Sequence, residues 1–360
     1  MTDEQWMAHA LELAARGRGA TSPNPMVGAV VVRNDVILGE GYHARAGERH
    51  AEVVALDAAG GAARGATLYC TLEPCSHTGR TPPCARRIVA EGVARVVVAS
   101  EDPDPRVDGA GCEILRMSGI PVVTGVLREP ARRLNEGFLS VKERGRPFVT
   151  LKAAVSRDGR IASAPGTRTL LTGEAAQWHA HRVRTEIDAI AVGSETVLVD
   201  DPVLTARGDR ERRRPLVRVV FDTRLRTPPT ARLLRTLEEG PVVVMTTRSA
   251  CDQAPERASA LARAGAMLEL LSERDPREAV HRLVDHDVCS VLLEGGAVMY
   301  RACWTAGVVD RLRLYVAPTV LGGAGVGWWP DHWETLSSLE WRGTGLGTDV
   351  LMESDVQRVD

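Results

Sequence analysis

The sequence predicts an α/β protein built as two units, and three observations carry that prediction. Helical and strand-like runs alternate through both halves, as layered α/β architectures require. A length of 360 residues with 44% apolar side chains suits two packed cores. A polar, glycine-containing stretch from Asn135 to Arg146 then precedes Pro147, after which Phe148-Val149-Thr150-Leu151 reads as a fresh strand. The boundary therefore falls near residue 145, giving units 1–145 and 146–360.

In the first unit, a helix is expected around Trp6 to Ala15 and a strand from Met26 to Val32. His50 opens a helical run carrying Val53, Val54 and Leu56, stopped by Gly60-Gly61. Thr67 to Leu72 is a short apolar strand ended by Glu73-Pro74. Pro82-Pro83 introduces a helix from Cys84 with Gly92 as its C-cap, and Ala94 to Ala99 is a buried strand. In the second unit, strands are expected at Ile187–Val192, Leu216–Phe221, Pro241–Met245, Ser290–Leu293 and Arg311–Ala317. Gly295-Gly296 opens a helix towards Tyr300, and the charge-dense Arg207 to Arg214 reads as a solvated connection. No internal repeat is visible.

One constellation carries chemistry. His50-Ala51-Glu52 is followed by Pro74-Cys75, eight residues, and Cys84. One imidazole and two thiolates give zinc three protein ligands and leave a fourth position for water, the arrangement of a catalytic rather than a structural site. A closed zinc knot would need a fourth protein ligand. His77 offers one, although a substrate contact is the simpler role for it. Glu52, next to the ligands but not one of them, is placed to shuttle protons. His-x-Glu with Pro-Cys and a second cysteine is the zinc-deaminase pattern, in which activated water attacks a ring carbon and ammonia leaves.

Composition excludes several classes. A net charge of −2 gives no global attraction for nucleic acid or anionic membrane. Aromatics are 4%, and the Trp328-Trp329–Trp333 cluster lies by an acidic stretch, so it reads as core or interface rather than a base-stacking surface. No apolar run is long enough for a membrane span, and the first residues lack a secretory signal, so a cytoplasmic enzyme is expected. Cys70, Cys112, Cys251, Cys289 and Cys303 read as small buried hydrophobes rather than disulfide partners.

Longer segments make the resemblance specific. Pro23-Asn24-Pro25-Met26-Val27-Gly28, Gly47-Glu48-Arg49-His50-Ala51-Glu52, Thr71 to Cys84 and Asp102-Pro103-Asp104-Pro105 resemble the bifunctional riboflavin-biosynthesis deaminase–reductases. The match runs from Trp6 to about Asp349. It implies a cytidine-deaminase-like α/β/α zinc domain followed by a dihydrofolate-reductase-like α/β domain. In the first, the family's longer spacer between the cysteines helps hold a pyrimidinone carrying a ribose phosphate. The resemblance places Asn24, His43, Ser76, His77, Arg80, Asp102 and Asp104 around that pocket; the family commonly has Asn where Asp104 stands.

The second unit matches the family's reductase through Leu151 to Ser156, Asp158-Gly159-Arg160, Gly193 to Arg207, Phe221-Asp222-Thr223 and Leu293-Glu294-Gly295-Gly296. The resemblance implies NADPH held by Ala154, Thr196, Asp200, Thr223, Gly295 and Gly296, with Gly-Gly at a helix N-terminus suited to the pyrophosphate. Glu294, Asp200 and Asp201 are candidates for sugar hydroxyls. Arg184 and Arg207 are candidates to clamp the substrate phosphate, with Leu204 at the same site. Lys152 and Glu294 are the expected catalytic pair. Lysine usage adds to this, because Lys142 and Lys152 are the only lysines beside 43 arginines, and a retained lysine suggests a point charge is needed. A homo-oligomer is implied by resemblance alone.

There is one departure. The family usually shows Ser-x-Trp-Ile-Thr after the Asp-Gly-Arg segment; here the stretch is Arg168-Thr169-Leu170-Leu171-Thr172, and Arg157 stands where an apolar residue is usual. Arg168 either binds a phosphate or marks a weakened reductase. The expected function is zinc-dependent deamination of a diamino-ribosylamino-pyrimidinone phosphate followed by NADPH reduction of its sugar. The alternative is a specialised paralogue with an altered reductase, and a nucleic-acid deaminase is the more distant rival.

Overall fold

Thr2 starts the first helix. Its hydroxyl accepts from the Gln5 N–H and the Gln5 side chain accepts from the Thr2 N–H, closing a capping box at α1 (Asp3–Ala14). The computed structural model describes residues 1–76, 83–104, 107–207, 212, 214–328 and 336–356. It divides into two compact units, Met1–Gly145 and Arg146–Asp360.

The first unit continues with β1 (Gly28–Arg33), β2 (Val36–Tyr42), α2 (Ala51–Ala59), β3 (Thr67–Cys70), α3 (Cys84–Glu91), β4 (Arg95–Val98), α4 (Ala110–Met117), β5 (Val122–Thr124), α5 (Arg128–Leu134) and α6 (Glu136–Arg144). The sheet order is β2-β1-β3-β4-β5. β1 is antiparallel to both neighbours, and β3, β4 and β5 run parallel. Alternate residues serve two cores, as period-2 side-chain geometry dictates. Val30, Tyr69 and Val97 pack with Trp6, Met7 and Leu13 of α1. Val31, Leu68 and Val96 pack with Ala55 and Leu56 of α2 and Ile88 of α3. A strand buried on both faces has no polar side, so it reads as a continuous apolar run. Gly28 lets α1 lie close, since a Cβ there would sit 2.0 Å from the Ala10 carbonyl oxygen.

The second unit contains β6 (Phe148–Ser156), β7 (Arg160–Ala162), α7 (Glu174–Glu186), β8 (Ala189–Gly193), α8 (Ser194–Asp200), β9 (Val217–Phe221), β10 (Val242–Thr247), α9 (Arg248–Gln253), α10 (Pro255–Arg263) and β11 (Met267–Leu271). It ends with α11 (Pro276–Arg282), β12 (Ser290–Leu293), α12 (Ala297–Thr305), β13 (Arg311–Ala317), β14 (Val326–Gly327), β15 (Arg342–Leu346) and β16 (Asp349–Asp355). Nine strands are ordered β11-β10-β9-β8-β12-β6-β13-β16-β15. They are parallel up to β13 and antiparallel through β16 and β15. Here too the faces separate, with Ala191, Val219 and Met245 in one cluster and Val192, Val220 and Val244 in the other.

The structure corrects two expectations. Asn135 to Arg146 is not a connecting stretch: Glu136–Arg144 is helical, burying Phe138 and Leu139, and Gly145 ends it at φ 67°. Arg146 then donates to both Asp310 carboxylate oxygens at 2.7 Å, tying the start of the second unit down. Nor is Arg207 to Arg214 merely solvated. Arg212 donates to the Ile187 carbonyl at 2.9 Å and Arg214 to Asp188 at 3.0 Å; residues 208–211 and 213 lie outside the described set. Of the tryptophan cluster, Trp328 is core, whereas Trp329 and Trp333 are not among the described residues. Among the described residues, no helix is long and apolar enough to cross a membrane.

Candidate functional site

His50 is the N-cap of α2 and Cys84 the first residue of α3, so two helix N-termini converge on one point, with Cys75 on the loop after β3. His50 Nδ1 lies 3.3 Å from Cys84 Sγ and 3.6 Å from Cys75 Sγ, and all three ligand atoms fall within 4.8 Å of one another. Tetrahedral zinc, with Zn–N of ~2.0 Å and Zn–S of ~2.3 Å, sets nitrogen and sulfur ~3.6 Å apart, so the donor set fits that metal. The Cys84 N–H donates to Cys75 Sγ at 3.3 Å, a backbone bond that favours thiolate. Cys84 and then His50 hold the Cys75 thiol well below its usual range, while Cys84 itself is pushed up by its bond to Cys75 and by burial.

Glu52 stands in the first turn of α2 with 3% of its surface exposed. Burial raises its carboxyl pKa, and His50 opposes the shift. A carboxyl group poised to take and return a proton needs this balance. His43 lies beside His50, its ring edge-on at 5.7 Å and 82°. Asn24 Nδ2 is 3.1 Å from His43 Nε2, and His43 Nδ1 is 3.1 Å from the Arg49 carbonyl oxygen. Burial lowers the His43 pKa and so favours the neutral ring. Ser76 follows Cys75, half-buried; His77 and Arg80 lie outside the described residues.

Asp102 and Asp104 sit on the loop after β4, and Cys75 on the loop after β3, the parallel neighbour of β4. Glu73 joins the two. Its carboxylate accepts from the N–H groups of Asp102 at 3.2 Å, Gly109 at 3.0 Å and Cys112 at 3.0 Å. Gly111 allows this closeness, because a Cβ there would meet the Pro74 carbonyl oxygen at 1.8 Å. The Asp104 N–H donates to Asp102 Oδ1 at 2.9 Å, and Lys142 Nζ of α6 reaches Asp104 Oδ2 at 2.8 Å.

In the second unit Lys152 and Glu294 are brought together by the parallel pairing of β6 and β12, where Leu151 opposes Leu293. Lys152 Nζ is 3.6 Å from Glu294 Oε2. Arg184 of α7 donates to both Glu294 oxygens at 2.9 and 2.7 Å and to the Thr205 carbonyl at 3.1 Å. Burial alone would raise Glu294, but Arg184 and then Lys152 outweigh it and hold the carboxyl at about 2. The guanidinium expected on a substrate phosphate thus binds a carboxylate here. A cavity of about 100 Å³ opens beside this group, lined by Lys152, Thr172, Gln177, His181, Arg184 and Tyr315 among others.

The other expected cofactor residues cluster at the carboxyl ends of parallel strands, where α/β sheets bind ligands. Thr196 and Asp200 lie on α8 after β8, Thr223 follows β9, and Gly296 caps α12 after β12. The Gly295 N–H donates to the Tyr300 hydroxyl at 3.1 Å, which in turn donates to the Lys152 carbonyl at 2.8 Å. Ala154 is half-buried on β6 and Arg207 exposed; the Leu204 side chain is in the core, and its backbone has φ 59°. Asp201 accepts from the Arg232 N–H at 2.8 Å. Asp200 keeps a buried Oδ1 without a hydrogen-bond partner among the described residues; burial raises its carboxyl pKa and the charge of Arg168 lowers it. Leu170 is 75% exposed.

Comparison with known proteins agrees with this two-site layout. The family described as the cytidine and deoxycytidylate deaminase zinc-binding region matches residues 1–100, and the RibD C-terminal domain family matches 147–342. Riboflavin biosynthesis protein RibD of Aquifex aeolicus is 41% identical over 320 residues, covering 89% of this chain and 88% of its own. The protein of that name from Bacillus amyloliquefaciens is 44% identical over 321 residues, covering 89% and 86%. The solved structure of Acinetobacter baumannii RibD matches with a TM-score of 0.88 at 37% identity, over 99% of both chains. A Thermotoga maritima diaminohydroxyphosphoribosylaminopyrimidine deaminase/5-amino-6-(5-phosphoribosylamino)uracil reductase matches at 0.86 and 32%, over 99% of both chains.

Proposed function

The chain belongs to the RibD family, and from that premise we propose that it is a bifunctional enzyme of riboflavin biosynthesis. Its first unit deaminates 2,5-diamino-6-ribosylamino-4(3H)-pyrimidinone 5′-phosphate, and its second reduces the ribosyl side chain to ribityl. The observation that carries this reading is the His50–Cys75–Cys84 cluster with Glu52 buried next to it.

When bound at those three ligands, zinc supplies a Lewis acid that makes water nucleophilic at neutral pH. Glu52 takes the proton released as oxygen adds at C2 of the pyrimidinone, and returns it to the departing amino nitrogen. Asn24 and His43 form a hydrogen-bonded pair that orients the ring, with His43 fixed from behind by the Arg49 carbonyl. Ser76, His77, Arg80, Asp102 and Asp104 complete that pocket. In the second unit, NADPH supplies hydride to C1′ when bound over Thr196, Asp200, Thr223 and the Gly295-Gly296 turn. Lys152 offers an ammonium to the sugar oxygen on which charge develops, and Glu294 holds that ammonium in place. Arg184 balances the charge of Glu294, and Arg207 is the exposed cation available to the substrate phosphate.

The paralogue reading, with its altered reductase, is not favoured, since the relatives carrying the RibD name cover 89% of the chain and both units. Action in the cytoplasm as a homo-oligomer, without nucleic acid, completes the proposal. The test is removal of the metal. Chelation, or Cys84→Ser, should abolish ammonia release from the diaminopyrimidinone, and zinc should restore the chelated wild type but not the variant. Full zinc content and normal turnover in Cys84→Ser would overturn the ligand assignment.

A further inference from the structure

Gln177, His181 and Arg184 recur along α7 at helical spacing, so they share one face of it, and all three line the small cavity beside Lys152. The polar neighbours of His181 there are engaged within the protein. The Gln177 side chain donates to the Thr172 carbonyl at 2.7 Å, Arg184 is bound to Glu294, and the Tyr315 hydroxyl lies 2.9 Å from His179 Nδ1. His181 differs. Its Nδ1 is buried and has no hydrogen-bond partner among the described residues. A buried ring nitrogen left unpaired is unfavourable, and a bound group that meets it removes that cost.

We propose that His181 is a specificity-determining residue of the reductase site, its Nδ1 meeting the 2′- or 3′-hydroxyl of the substrate's ribosyl chain. This rests on the reductase reading above. The charges around the ring place it. Arg184, Arg207, Glu294 and Lys152 all act on His181 electrostatically. Lys152 stands at the reacting end of the sugar, and Arg207 is the cation available to its phosphate. A ring within reach of both lies along the stretch from C1′ to C5′, and hydroxyls are what that stretch presents. Burial, then Arg184 and Arg207, lower the His181 pKa and favour the neutral ring. A neutral imidazole donates from one nitrogen and accepts at the other, and a hydroxyl suits either tautomer because it does both. Phosphate, by contrast, is met best by a charged donor, which Arg207 supplies.

The test crosses the residue with the substrate group it is assigned to. Reduction is followed as NADPH consumption with the deaminated ribosylaminopyrimidine 5′-phosphate and with its 2′-deoxy and 3′-deoxy analogues. On the full substrate, His181→Leu should lower kcat/KM ~10-fold while the NADPH dissociation constant stays within ~twofold of wild type. Wild type should lose a similar factor on one of the two deoxy analogues. On that analogue His181→Leu should cost no more than ~twofold further, because nitrogen and hydroxyl form one interaction. Losses that multiply on both analogues would mean that the nitrogen meets neither hydroxyl, and would overturn the proposal. So would a kcat/KM for His181→Leu within ~twofold of wild type, or a loss confined to NADPH affinity. His181→Ala carries the same cycle if the leucine variant does not fold; failure of both to fold would make the ring structural and overturn the proposal too. A wild-type chain that consumes no NADPH with the deaminated substrate would sink the reductase reading itself, whereas multiplied losses would sink only the role of His181.

Discussion

Glu52 is buried almost completely between His50 and Cys84, and that burial distinguishes its role from theirs. Glu52→Gln keeps the shape of the side chain but cannot exchange a proton. Zinc should therefore remain, while deamination falls by the ~10²–10⁴-fold typical of a lost general acid–base. Metal analysis and ammonia release measured on one preparation check both halves of that expectation; near-normal turnover would remove the role. At this scale the metal site was the most legible part of the sequence, because coordination chemistry forces few residue types into a short spacing. Charge partners were not legible. Nothing local to Arg184 reveals that its guanidinium meets Glu294, and nothing local to Lys142 reveals Asp104, because only the folded sheets bring those residues together. Lysine scarcity was the one signal pointing at Lys142, and it was read for Lys152 alone.

Strands made mostly of apolar residues were legible from that composition. Ser290–Leu293 and Arg311–Ala317 have the bounds that the sequence suggested. β15, Arg-Gly-Thr-Gly-Leu and largely exposed, carries no apolar period and could not be found that way. α6 was hidden by its polar solvent face, which resembles a linker until Phe138 and Leu139 are seen to be core. The segment at Arg168–Leu170 is the element whose function the fold leaves most open to experiment. Leu170 points to solvent, and the charge of Arg168 reaches Asp200 at the expected cofactor site. Arg168→Ser with Leu170→Trp should restore a flat surface and a compact hydroxyl. Tighter NADPH binding is expected, a recovered contact of ~1.4 kcal/mol being a tenfold change measurable by fluorescence quenching or calorimetry. Weaker binding would make Arg168 a working phosphate ligand, and unchanged binding would place the segment outside the site.

Over the whole molecule, two compact units each carry their own set of reactive groups, the metal cluster in Met1–Gly145 and the Lys152–Glu294–Arg184 group in Arg146–Asp360. Family resemblance made that division legible from end to end, because its motifs are spread along both halves. Composition and periodicity alone gave the α/β class and the break, but neither the reaction nor the cofactor. The most direct test of the account is the product formed from the diaminopyrimidinone ribosylamino phosphate by the zinc-loaded chain. Without NADPH, ammonia should be released and the ribosyl side chain should remain. With NADPH, the same incubation should yield the ribityl product, with NADPH consumed in step. Ammonia release without ribityl product at millimolar NADPH would contradict the bifunctional assignment.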